Sequence, residues 1–68
     1  MQSWSKIYTT RNPAEASIIQ GMLEENNIPA QVMNKQDSSY LNFGDLELYV
    51  PGHLAETAKQ LVAKNLLN

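Results

Sequence analysis

The sequence predicts a two-layer α/β sandwich built in the order β-α-β-β-α. Three observations lead there. Residues 30–51 hold two strand-like runs on either side of a polar segment, 34–45. The stretch before them reads as a strand followed by a well-capped helix. The stretch after them reads as a second helix. A strand–helix–strand crossover within one sheet is right-handed, which sets both helices on one face of the sheet. With strand one beside strand three, this is a ferredoxin-like arrangement lacking its final strand. Two residues after Leu66 are too few to supply that strand.

The totals agree with one small domain over 1–68. A chain of 68 residues buries only about 60% of the surface its unfolded form exposes. Its core is therefore small, and a partner or a second copy is a natural supplement. A hydrophobic fraction of 43% with 18% charged residues fits a folded domain rather than a disordered one. The sequence has no cysteine, which excludes disulfides, thiolate chemistry and cysteine-based zinc sites. No apolar run approaches the roughly 18 residues of a membrane span. The segment MQSWSKIY lacks the apolar core of a signal peptide, so a cytoplasmic location with no membrane contact is expected. Net charge −2, a pI near 5.1 and five scattered basic residues oppose nucleic-acid binding, which rests on clustered Lys and Arg.

The first strand is WSKIYTT, rich in β-branched and aromatic residues and ended by a breaker. Plain alternation puts Ile7 and Thr9 on one face and Lys6, Tyr8 and Thr10 on the other, with Trp4 joining the second set. Asn12-Pro13-Ala14-Glu15 is a helix start, with Asn12 as cap, Pro13 in the first turn and Glu15 at the capping-box position. The helix runs to about Asn26. Ala16, Ile19, Met22 and Leu23 form its core stripe, widened by Ile18. Gly21 either permits close packing or is a weak point in helix propensity. Asn26-Asn27 suits a left-handed helix end, and Pro29 stops continuation.

Residues 30–35 form the second strand, with Ala30, Val32 and Asn34 inward and Gln31, Met33 and Lys35 outward. LELYV is the third, with Leu46, Leu48 and Val50 inward and Glu47 and Tyr49 outward. Pro51-Gly52 ends it. The second helix starts at Gly52 or His53, places Leu54, Ala58, Leu61, Val62 and Leu66 at core spacing, and runs to about Leu66.

Two surfaces are candidates for function. The first is the helix-free sheet face, where this alternation displays Tyr8, Met33 and Tyr49. The alternative is that aromatics there only stabilise cross-strand pairs. The second is the segment 34–45, longer than a hairpin needs, where Asn34, Lys35, Gln36, Asp37, Ser38, Ser39 and Tyr40 offer donors and acceptors. The alternative is a connector whose Leu41 and Phe43 fold onto the core. No catalytic constellation is present: Ser38-Ser39 lack a nucleophile-elbow context, and His53 is the only histidine. Asp37, Asp45, Glu47 and His53 match no metal-site spacing. No metal and no cofactor is expected.

The pieces KIYTT, NPAEASIIQGMLEENNIPAQVMNKQDSSY and GDLELYVP together resemble the small bacterial domains of unknown function labelled putative prokaryotic signal-transducing proteins. The resemblance covers residues 4–64. Family members share a strand ending in Tyr-Thr, an Asn-Pro-x-Glu-Ala helix start, a Gly-Ile-x-Ala passage and a closing Leu-x-Val-Pro. This chain carries Asn27 where the family commonly has Gly, and Asn also tolerates the left-handed conformation. The resemblance implies a fold related to PII-type and ACT-type regulatory domains. PII proteins touch partners through a loop at the place of residues 35–44, although that loop is far longer.

The expectation is thus a non-enzymatic regulatory module that contacts a protein partner or a second copy through segment 34–45 and the open sheet face. The alternative is a metabolite sensor binding at the same segment, which a ligand-dependent rise in Tm would distinguish. An RNA-binding module is a third and weaker reading, since the aromatic–basic motif is missing.

Overall fold

In a computed structural model of the chain, residues 3–35 and 45–66 are described. The elements are β1 (Trp4–Thr10), α1 (Pro13–Glu25), β2 (Gln31–Lys35), β3 (Asp45–Pro51) and α2 (Ala55–Leu66), with a single 3-10 turn, Gly52–Leu54, leading into α2. The three strands form one antiparallel sheet in the order β1-β3-β2. The ferredoxin-like β-α-β-β-α reading holds, with β1 at one edge of the three-stranded sheet.

Local chemistry explains the boundaries of α1. The Asn12 side chain accepts from the N–H groups of Ala14 (2.9 Å) and Glu15 (3.4 Å), satisfying two of the donors that a helix start leaves free. At the other end, Asn27 N–H donates to the Glu24 carbonyl and Ile28 N–H to the Leu23 carbonyl. Those two bonds make a Schellman motif. It requires a left-handed residue, and Asn27 supplies it at φ 65°. Ile28 and Leu23, joined by the second bond, are both buried in the core, the apolar contact that accompanies this motif. The Gln20 amide then donates to the Ala30 carbonyl at 3.0 Å, tying the helix to the chain entering β2.

One cluster joins Ala16, Ile19 and Leu23 of α1, Ala58 and Val62 of α2, and Leu48 and Val50 of β3, with Ile28 and Ala30 beside them. Both helices therefore cover the Leu48–Val50 side of the sheet. The expected helix core of Ala16, Ile19, Met22, Leu23, Leu54, Ala58, Leu61 and Val62 is present, while the side chain of Leu66 lies outside the described residues. One correction is that Ile18 does not widen the stripe and is 69% exposed. It lies about 100° around the helix from Ile19, and Ile19 is the residue aimed at the sheet. A Cβ at Gly21 would meet nothing within 4 Å, so this glycine serves no close approach. Gly52 is different. Its N–H donates to the Ser3 carbonyl at 2.8 Å, and an added Cβ would crowd that same oxygen at 3.2 Å.

The largest departure from plain alternation is in β1. Lys6 pairs with Tyr49 and Tyr8 with Leu48, so Ile7 is an extra residue in the ladder, a β-bulge. Cross-strand partners lie on the same side of a sheet. Beyond the bulge the phase is therefore reversed. Tyr8, opposite Leu48, and Thr10, opposite Leu46, lie on the helix-covered side, while Thr9, opposite Glu47, lies on the open one. The expectation that Tyr8 belongs to the open face is corrected: it packs against the core beside Ile7.

Candidate functional site

The helix-free face can be read row by row from the pairing. Trp4 stands opposite Pro51. Lys6, Tyr49 and Gln31 form the next row across the three strands, and Thr9, Glu47 and Met33 the row after it. Met33 and Tyr49 thus sit where alternation predicts. Trp4 at 40% exposure and Met33 at 51% are two of the three exposed large apolar side chains among the described residues, and both are on this face.

Between them lies the feature that sequence reasoning missed. Glu47 points to the side that no helix covers, yet is only 6% exposed. The Tyr49 hydroxyl donates to its Oε1 at 2.8 Å, and the Lys6 ammonium donates to Oε2 at 3.4 Å. Both oxygens are thereby engaged, as a carboxylate withdrawn from water requires. Lys6 reaches Glu47 diagonally across the ladder, and its own side chain stays half-exposed. The Tyr49 phenol is raised above its ordinary value, first by the hydrogen bond to Glu47, then by burial and by the nearby negative charge. The only advance signal was a Lys and a Glu on adjacent strands. It becomes informative only once the register is known.

Tyr8 belongs to a separate knot on the covered side. Its hydroxyl donates to Glu15 Oε1 at 3.3 Å, and the Thr10 hydroxyl donates to the same oxygen. Thr10 Oγ1 in turn accepts from the Asn12 N–H at 3.1 Å. The knot fastens the end of β1 to the first turn of α1, a structural task. Burial first, then the charge and hydrogen bond of Glu15, push the Tyr8 phenol upward.

At the far end of the sheet Lys35 pairs with Asp45, so the chain leaves β2 and returns to β3 at one place. Arg11 meets Asp45 at 3.3 Å, with the arginine side chain 83% exposed, a surface pair that contributes little. Of the candidate segment, Asn34 pairs with Leu46 and so lies on the inward side, as alternation predicts, yet is exposed there. Lys35 is described as the last residue of β2. Gln36, Asp37, Ser38, Ser39 and Tyr40 lie outside the described residues, as do Leu41 and Phe43.

Among the described residues no group of three or more His, Asp or Glu side chains is placed to hold a metal ion, and no helix is long and apolar enough to cross a membrane. The helix-free face thus carries two exposed apolar side chains, Trp4 and Met33, and a charge-paired carboxylate.

A protein-family model described as putative prokaryotic signal transducing protein matches residues 4–65, nearly the whole chain. No curated protein and no solved structure matches it.

Proposed function

The chain belongs to the family of putative prokaryotic signal transducing proteins, and on that premise we propose a non-enzymatic regulatory module that works by protein–protein contact. The family's name gives the coarse role, signal transduction. The contact surface in this reading is the helix-free face with Trp4, Met33 and Tyr49, continued by the segment from Asn34 and Lys35 through Gln36, Asp37, Ser38, Ser39 and Tyr40.

The observation that carries the reading is the exposure of Trp4 and Met33 on a face whose central carboxylate is already charge-paired. Aromatic residues and Met are enriched in interfaces, whereas isolated charges are depleted from interface cores. A face built this way can be covered without stranding a charge. The segment 36–44 joins the sheet at the Lys35–Asp45 pair, one row beyond Met33 and Glu47, which brings it into this reading of the surface. The outer edge of β1 adds a place for a partner strand or a second copy, since among the described strands β1 pairs only with β3.

The test begins with capture of partners from prokaryotic extract. Each purified partner is then titrated against the wild type, Met33→Asp, Trp4→Ser and Asp37→Ala. A loss of affinity of about tenfold or more in the face variants, corresponding to ~1.4 kcal/mol, supports the face. Unchanged affinity in all three variants overturns the reading. Light scattering over a dilution series reports on the second copy: a dimer that survives dilution supports self-association, and a monomer throughout removes it.

A further inference from the structure

No further inference is drawn: the strongest candidate beyond the proposed contact surface, the free outer edge of β1 beside the exposed Trp4, carries nothing because no feature of the described residues shows what would pair with it.

Discussion

Glu47 and Leu48 are neighbours on β3, project to opposite sides of the sheet, and are both withdrawn from water, at 6% and 0% exposure. Their burial has different causes. Leu48 is enclosed by α1, α2 and the flanking strands, within a cluster of apolar side chains. Glu47 lies on the side that neither helix covers and is held by Lys6 and Tyr49. At Leu48, apolar packing encloses the side chain. On the open side, burial requires polar partners, and those partners bring charge and hydrogen bonding to the surface. Such a strand is apolar on one side and carries a charge-paired carboxylate on the other.

The largest expected effect tests the covered side. Leu48→Ala removes a fully enclosed side chain and should cost about 2–5 kcal/mol. A chain of 68 residues has a total stability of about 3–10 kcal/mol, so this variant should lose a large share of it. A urea titration followed by circular dichroism measures it. A loss below ~1 kcal/mol would mean that the helix-covered side is not the main source of stability.

Glu47→Gln addresses the open side and should have a smaller effect, about 1 kcal/mol, the scale of one net hydrogen bond. The amide retains the shape and one acceptor, and the half-exposed Lys6 side chain regains water when its partner is neutralised. A penalty as large as that of Leu48→Ala would break the comparison, because Glu47 would then be a core residue in energetic terms. Smaller again is the change at the exposed Trp4, where Trp4→Ser should shift stability by about 0.5 kcal/mol. Met33 stands opposite Glu47 in the ladder, so in Met33→Asp the like charges add a penalty of ~0.5 kcal/mol. Partner binding is therefore read in each variant only after circular dichroism shows it folded.

The elements were legible because each rests on local chemistry. Asn12-Pro13 starts α1 whatever packs on it, LELYV alternates cleanly, and Asn27 occupies the left-handed position that Asn-Asn before Ile-Pro implied. What could not be read depends on partners distant in the chain. The bulge at Ile7 inserts one residue into WSKIYTT, a run too polar to reveal a change of phase, and it moves Tyr8 from the expected recognition face to the α1 knot. Lys6 and Glu47 are 41 positions apart in the chain, so the carboxylate's burial follows from the register alone. Helical spacing lets Ile18 widen the core stripe, but the direction of the sheet from α1 decides which of two adjacent isoleucines is enclosed. Met33 and Tyr49 were placed correctly because β2 and β3 pair without interruption.

The finest contrast lies in the two phenols, both raised above the ordinary tyrosine value of about 10 for different leading reasons. Burial leads for Tyr8, whereas the hydrogen bond to Glu47 leads for Tyr49. A phenol raised by folding favours the neutral form in the native state. Its contribution is complete below the unfolded value, near pH 10. It declines as the unfolded phenol ionises first, and is lost once pH passes the raised native value. The contribution of each tyrosine should therefore be constant through neutral pH and fall in alkali. Tyrosinate absorbance followed against pH, in variants that retain one of the two tyrosines with Tyr40→Phe throughout, separates them. Glu47→Gln should bring the Tyr49 titration down toward the ordinary value and leave that of Tyr8 in place. Glu15→Gln should lower Tyr8 only in part, because its burial persists. If Tyr49 keeps its raised titration in Glu47→Gln, the open side is governed by burial like the covered one, and the distinction between the two sides of β3 fails.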